Sequence, residues 1–127
     1  MALNDVTHNR KVLVVEDDPT LGGLIASILE EEGFDSVVVR DGREAMKCIS
    51  ADQPDAITLD LELPGVDGRF ILNRLWQWGA GRVPVVVVSA ATELLSREDR
   101  RRVSCTLRKP FDVLDLVQAV NRAVARA

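Results

Sequence analysis

Three carboxylates stand together in the stretch VLVVEDDPT, residues 12–20, where an apolar run ends in Glu16, Asp17 and Asp18. Like charges this close raise one another's pKa or bind a hard cation. Oxygen ligands are typical of Mg²⁺, Ca²⁺ and Mn²⁺ sites, and Mg²⁺ is usually held by a few carboxylates together with waters and phosphate oxygens. The alternative is that the acids only cap the helix that follows, since helix N-termini favour negative charge.

Three further polar groups stand at the ends of other apolar runs. Asp60 lies near the end of AITLDL (56–61), Ser89 ends VPVVVVS (83–89), and Lys109 follows CTLR (105–108). A lysine supplies a mobile point charge suited to a phosphoryl oxygen, and a serine hydroxyl can bind another such oxygen. If the chain brings these groups to the carboxylates, the set recognises a phosphoryl group and a metal together.

The elements that must position these groups alternate along the chain. Short apolar runs predict strands at 12–15, 34–39, 56–61, 83–89 and 105–108. Helices are predicted from Pro19 to about Gly33, and at 41–49, 69–78, 92–102 and 112–125. This alternation indicates an α/β fold with a parallel sheet covered on both faces. Polar groups end every strand except the second, which suits a doubly wound, flavodoxin-like sheet of order 2-1-3-4-5 with five helices and its site at the carboxyl ends of the strands.

Helical spacing also predicts which side chains face the core. They are Leu21, Leu24, Ile25, Ile28 and Leu29 in the first helix, Phe70, Ile71 and Leu75 in the third with Trp78 as an open candidate, and Val113, Leu116, Val117, Val120 and Val124 in the last. The helix predicted at 92–102 is different, because Leu94 and Leu95 are nearly its only large apolar residues.

Composition limits the class of protein. A chain of 127 residues has room for one domain, and its net charge of −4 gives no electrostatic footprint for nucleic acid. Two cysteines are too few for a disulfide framework, and no stretch resembles a signal peptide or a membrane span. We expect a soluble, cytoplasmic protein without direct contact to nucleic acid or membrane, with residues 1–9 as a flexible tail and 10–127 as one domain.

Four stretches, VLVVEDD, DLELPGVDG, VVVVSA and RKPF, occur in this order between residues 12 and 111. Together they resemble the receiver domain of two-component response regulators. The resemblance implies a signalling domain rather than an enzyme, one that catalyses only its own phosphorylation and dephosphorylation. The donor would be the phosphohistidine of a sensor histidine kinase or phosphotransfer protein.

The resemblance also implies a role for each site residue. Asp60 would be the phosphoacceptor and a metal ligand. Asp17 would bind Mg²⁺ directly, Glu16 through water, and the main-chain carbonyl of Glu62 would complete the protein ligands. Mn²⁺ is the alternative metal. Asp18 is not expected to be a direct ligand.

The phosphoryl group would be held by the other two residues of the set. The resemblance assigns this role to Ser89 and Lys109, and it implies a cis peptide bond between Lys109 and Pro110.

Three other classes of protein share part of this pattern. A flavin-binding flavodoxin needs a hydroxyl- and glycine-rich loop after its first strand, whereas the acids here would repel a phosphate. A haloacid-dehalogenase-type phosphatase uses an aspartate and a second acid two residues later, which DLE at 60–62 imitates, but that motif follows the first strand rather than the third. A pseudo-receiver that only binds partners lacks part of the site, and no part is missing in this sequence.

Two departures from the family pattern concern the output. Thr106 stands where many receivers carry Tyr or Phe, and Ala91 stands where many carry a polar residue. We therefore hypothesise that movement of Ser89 and of the helix at 92–102 carries the signal, with Thr106 a minor contributor. The fourth helix, fifth strand and fifth helix would form the face for an unknown output protein, or for a homodimer formed on phosphorylation.

Overall fold

The structure is a computed structural model that describes residues 9–77 and 83–126. Its strands are β1 (Lys11–Val15), β2 (Asp35–Val39), β3 (Ala56–Leu59), β4 (Val85–Ser89) and β5 (Cys105–Arg108). Its helices are α1 (Pro19–Glu31), α2 (Gly42–Ala51), α3 (Gly68–Gln77), α4 (Arg97–Arg102) and α5 (Val113–Arg126), with a short 3₁₀ helix at Thr92–Leu94.

The five strands form one parallel sheet in the order β2-β1-β3-β4-β5. This confirms the predicted fold class and strand order. The register places Val15 between Val39 and Leu59, so β1, β2 and β3 end side by side. The polar residues that follow these ends are therefore neighbours in space.

Two apolar layers cover the sheet, because successive side chains of a strand point to opposite faces. On one face, Leu13, Val15, Ile57, Leu59, Val85 and Val87 pack in one cluster with residues of α2 and α3. On the other face, Val12, Val14, Ala56, Val86 and Val88 pack with residues of α1 and α5. Burial on both faces explains why the strands read as continuous runs of apolar, β-branched residues.

Most of the side chains predicted to face the core are buried, and three of them are exposed. The buried side chains among them are Ile25, Ile28, Leu29, Ile71, Leu75, Leu116, Val120 and Val124. Leu24, Phe70 and Val113 are instead about half exposed. Phe70 points about 100° away from Ile71, on the side opposite to Leu72, and so lies outside the buried stripe of α3. Trp78 lies outside the described residues.

The predicted helix at 92–102 is wrong, since two short helices occupy this stretch. The 3₁₀ helix Thr92–Leu94 is followed by extended backbone at Leu95 (ψ 130°) and Ser96 (ψ 171°), and α4 begins at Arg97. Ser96 caps α4 through a capping box with Asp99. The motif S-x-x-D marks a helix start, so the break could have been read from the sequence.

The prediction of a flexible N-terminal tail concerns residues 1–8, which lie outside the described residues, and Asn9, which hydrogen-bonds Asp35 at 3.2 Å. Among the described helices, none combines the length and the hydropathy that a membrane span requires.

Candidate functional site

The ends of β1 and β3 bring two carboxylates together. Glu16 directly follows β1, and its amide donates to the carbonyl of Val39 at 3.0 Å. Asp60 directly follows β3, and its amide donates to the carbonyl of Val15 at 3.1 Å. The sheet's own hydrogen bonding thus continues through both residues and fixes where their side chains start.

Glu16, Asp17 and Asp60 form an acidic cluster at this edge of the sheet. One carboxylate oxygen from each lies within 4.8 Å of the other two. Glu16 and Asp60 are only 2% and 4% exposed, whereas Asp17 is open to solvent. The cluster therefore has a buried floor and one accessible side, as a site for an exchangeable ligand requires.

Lys109 reaches this cluster from the end of β5. Its Nζ lies 2.7 Å from Glu16 Oε1 and 2.9 Å from Asp60 Oδ2. The predicted grouping of Glu16, Asp17, Asp60 and Lys109 is therefore present, although Glu16 and Lys109 are 93 residues apart in the chain.

The charges in this cluster perturb one another. Burial raises the pKa of the Glu16 carboxyl, and the neighbouring Asp60 charge adds to this, while hydrogen bonds from Lys109 and from the Asp18 amide act in the opposite direction. Partial burial acts to lower the pKa of Lys109, but its two carboxylate partners outweigh that effect and raise it. The lysine is thus held as a cation between two acids, where it offsets part of their repulsion.

Ser89 is completely buried at the end of β4. Its Oγ accepts a hydrogen bond from the Ala91 amide at 3.1 Å, and its carbonyl accepts one from the Lys109 amide at 3.0 Å. The Lys109–Pro110 peptide bond is cis, as the resemblance implied. Ser89 and Lys109 therefore stand at adjacent strand ends.

Asp18 and Glu62 take different positions from the other acids. Asp18 is the N-cap of α1, with Oδ1 accepting from the amides of Thr20 and Leu21 at 3.0 and 3.4 Å. The Glu62 amide donates to Asp60 Oδ1 at 3.1 Å, and its side chain is exposed. The role of its carbonyl as a metal ligand stays a prediction.

Residues 60–68, from Asp60 to the start of α3, are called the acceptor loop here. Its end is fixed by Gly68, whose amide donates to the Leu61 carbonyl at 3.2 Å. A Cβ at Gly68 would lie 2.6 Å from the Asp60 carbonyl oxygen and 2.7 Å from Leu61 Cα, so a side chain there would displace the backbone beside Asp60. Asp67 lies just before α3, and its Oδ1 accepts from the Arg69 amide at 2.7 Å.

Gly42, at the start of α2, approaches the same loop. A Cβ at this position would lie 2.5 Å from Cβ of Val66. Sequence reasoning missed this contact, because the close packing of Val66 against Gly42 leaves only a glycine, without periodicity, in the sequence.

The donor set fits a hard divalent cation. Three clustered carboxylates satisfy the preference of Mg²⁺ for oxygen ligands, and the exposed side at Asp17 leaves room for waters and a phosphoryl group. A phosphoryl group beside Asp60 would also meet Lys109, and a lysine is a usual partner of phosphoryl oxygens in proteins.

Comparison with known proteins agrees with this geometry. The family model described as "Response regulator receiver domain" matches residues 12–121. The chain therefore belongs to the receiver domain family of response regulators.

Particular relatives fall in the same family. The chain is 34% identical over 124 residues to "DNA-binding response regulator MtrA" of Mycolicibacterium smegmatis, covering 94% of this chain and 53% of MtrA. It is 35% identical over 118 residues to "Protein Rrf1" of Nitratidesulfovibrio vulgaris, covering 91% of this chain and 83% of Rrf1. This chain thus spans about half the length of MtrA and most of Rrf1.

Solved structures show the same fold. The receiver domain of the Francisella response regulator 1452 superposes with a TM-score of 0.84 at 34% identity, covering 93% of this chain and 98% of that domain. A sensor protein from Polaromonas sp. JS666 gives a TM-score of 0.86 at 32% identity, covering 94% and 98% of the two chains. The flavodoxin, phosphatase and pseudo-receiver alternatives find no support in these comparisons, and the chain is a signalling domain of the two-component type.

Proposed function

We propose that this receiver domain accepts a phosphoryl group on Asp60 from a phosphohistidine of a sensor histidine kinase or phosphotransfer protein. The observation that carries the proposal is the position of Asp60, which is nearly buried at the end of β3 with Oδ2 2.9 Å from Lys109 Nζ and a second and third carboxylate beside it. A carboxylate so placed can act as nucleophile only where positive charge neutralises the incoming phosphoryl group.

The chain's own residues supply positioning and charge for this transfer. The Glu62 amide holds Oδ1 of Asp60, which fixes the orientation of the carboxylate. The bond from phosphorus to the histidine nitrogen breaks as a bond from phosphorus to an Asp60 oxygen forms, and the imidazole leaves with its electron pair. Lys109 then exchanges its contact with Asp60 for one with a phosphoryl oxygen, and the Ser89 hydroxyl donates to another.

Glu16, Asp17 and Asp60, with the Glu62 carbonyl, would hold Mg²⁺ or Mn²⁺, which neutralises charge on the transferring group. Hydrolysis of the resulting acyl phosphate by water returns Asp60 to its free form. The domain thus promotes only its own phosphorylation and dephosphorylation.

The output is a change of protein contacts. The surface of α4, β5 and α5 is the proposed face for the output protein, which is unknown, or for a homodimer formed on phosphorylation. Thr106 lies in β5 as a small, partly buried side chain. It cannot fill the volume of an aromatic ring, so movement of Ser89 and of the segment after it is the proposed source of the change.

The direct test is incubation of the purified chain with Mg²⁺ and acetyl phosphate, followed by intact-mass measurement. We expect the mass of one phosphoryl group, labile to base, in the unsubstituted chain and none in Asp60→Asn. Asp35→Asn is the matched control, because Asp35 begins β2 at the opposite end of the sheet. Stoichiometric base-labile phosphorylation of Asp60→Asn would overturn the assignment.

The metal site has its own test, which is calorimetric titration with Mg²⁺ in the absence of a phosphodonor. Asp17→Ala should lose binding at millimolar Mg²⁺, because the accessible carboxylate is removed. Glu16→Gln should lose less, since its contact is expected through water. Unchanged titration of Asp17→Ala would contradict the proposed ligand set.

A further inference from the structure

Helix α4 is attached to the rest of the protein in an unusual way. Asp99 is the one buried residue of this helix, at 5% exposure. Its Oδ2 accepts hydrogen bonds from the Ser96 amide at 2.9 Å and from Arg69 Nε at 3.3 Å. A helix is normally fixed by an apolar stripe. This helix is fixed at its first turn by a buried carboxylate and a guanidinium from α3.

The carboxylate is ionised in this position. Burial acts to raise the pKa of Asp99, but the hydrogen bonds from Ser96 and the charge of Arg69 together outweigh burial and lower it. Arg69 is 43% exposed and contacts Asp99 through one bond of 3.3 Å, so the pair contributes about as much as one charge-assisted hydrogen bond.

The far end of α4 also contacts α3 through a guanidinium. Arg102 lies over the ring of Trp76 at 5.1 Å and donates to Asn73 Oδ1 at 3.3 Å. It also pairs with Glu98 of its own helix at 3.4 Å. Guanidinium contacts thus join α4 to α3 at both ends.

Arg69 connects α4 to the acceptor loop. Its amide donates to Asp67 at 2.7 Å, and it directly follows Gly68, which hydrogen-bonds Leu61 and touches the Asp60 carbonyl region without room for a Cβ. A displacement of the acceptor loop is therefore transmitted to the first turn of α3, where the Arg69 side chain begins.

The same turn of α4 is reached from Ser89. Ser89 Oγ accepts from the Ala91 amide, and the Ala91 and Thr92 carbonyls accept from the Leu94 and Leu95 amides at 3.0 and 3.2 Å. This hydrogen-bonded segment ends at Ser96, the N-cap of α4. A shift of Ser89 toward a phosphoryl group pulls this segment, while Arg69 holds α4 in place.

We propose that the Arg69–Asp99 pair is a latch that holds α4 in its unphosphorylated position and links the acceptor loop to the output face. The inference rests on the proposed phosphorylation of Asp60 and adds its regulation. Phosphorylation displaces Ser89 and the acceptor loop, and the Arg69–Asp99 contact opposes these displacements. The contact therefore breaks when α4 shifts. By thermodynamic reciprocity, opening the latch must in turn favour the phosphorylated state.

The test uses the whole chain with Mg²⁺ and beryllium fluoride as the phosphoryl mimic, with hydrogen exchange and mimic affinity as readouts. In Arg69→Gln, the amides of 99–102 should exchange about tenfold faster without the mimic. This factor corresponds to the loss of one charge-assisted hydrogen bond. The mimic should then add little further change in α4, and it should bind severalfold tighter than to the unsubstituted chain. Simple loosening of α4 would leave the affinity unchanged.

Asp99→Asn tests the same pair from the other side, and it should resemble Arg69→Gln. Glu98→Gln is the matched control, because it makes the same chemical change one residue earlier, at a side chain that is 71% exposed. It should leave both readouts unchanged.

Two results would overturn the proposal, and they differ in meaning. In the first, the mimic binds the unsubstituted chain, but Arg69→Gln has the same α4 exchange and the same mimic affinity as that chain. The latch is then wrong, and the phosphorylation site stands. If the mimic fails to bind the unsubstituted chain, the proposed function fails and the latch fails with it.

Discussion

Helices α4 and α5 flank the same edge strand, β5, and are attached to the protein in opposite ways. Helix α5 has 14 residues and buries an apolar stripe of Leu116, Ala119, Val120, Ala123 and Val124. Helix α4 has 6 residues and buries the carboxylate of Asp99. Apolar burial is non-directional and survives small shifts, whereas a charged hydrogen bond is either made or lost. The comparison shows that α5 is held by apolar burial, whereas α4 is held by charged contacts that a displacement of the helix would break.

The largest effect is expected from the apolar helix. Leu116 is fully buried, so Leu116→Ala should lower the free energy of unfolding by about 2–5 kcal/mol, through lost burial and a residual cavity. Urea denaturation measures this. Leu114→Ala on the same helix is the control, because Leu114 is 62% exposed and its truncation should cost less than about 0.5 kcal/mol.

A smaller effect is expected from the buried carboxylate. Asp99→Asn should cost about 1–2 kcal/mol at pH 7, since the amide keeps its shape but loses the charged contact with Arg69. The same denaturation experiment measures it. A cost equal to that of Leu116→Ala would remove the contrast between the two helices.

The pH dependence identifies charge as the cause of that cost. The folded-state pKa of Asp99 is lowered. As the pH falls toward the unfolded carboxyl pKa, the folded protein therefore binds fewer protons at Asp99 than the unfolded chain does. The stabilisation is complete above the unfolded carboxyl pKa of about 3.9 and is lost as pH falls through the folded pKa. The difference between the unsubstituted chain and Asp99→Asn should therefore be constant near neutrality and shrink below about pH 4. A difference that persists at low pH would mean that packing, not charge, is lost.

A gain in stability, no larger than the cost of Asp99→Asn, is expected from a substitution on the α5 side of the sheet. Thr58 lies between Val14 and Val86 in register, and its hydroxyl is the one buried side-chain polar atom in residues 9–77 and 83–126 that has no hydrogen-bond partner. Thr58→Val should stabilise the protein by about 1 kcal/mol, because the unpaired hydroxyl is replaced by a methyl group of nearly the same size. A loss of stability would show that a water satisfies the hydroxyl.

The smallest effect is expected from the exposed acid of α4. Glu98→Gln removes the ion pair between Glu98 and Arg102. Because the Glu98 side chain is 71% exposed, the free energy of unfolding should change by less than about 0.5 kcal/mol. Double substitution with Asp99→Asn should be additive within that limit. A large coupling would extend the latch beyond Asp99.

Much of this protein follows from local sequence. The apolar, β-branched runs of β1 and β4 can be buried only as central parallel strands, and the alternation with helices then fixes the doubly wound sheet. The acids and the lysine at the strand ends follow from the same reasoning, because parallel strands end at one edge of a sheet. That is why Glu16, Asp60 and Lys109 could be grouped before the structure was known.

Only the tertiary structure decided what holds α4. The sequence of α4 is rich in charged residues and has no hydrophobic periodicity that would indicate which element it packs against. The pairing of Arg69 with Asp99, 30 residues apart, depends on how α3 and α4 pack. The same holds for Gly68 and Gly42, whose close contacts exist only once the acceptor loop is folded against them. Hydrophobic periodicity records burial along one chain segment, whereas an ion pair or a close backbone approach between segments leaves no periodic trace.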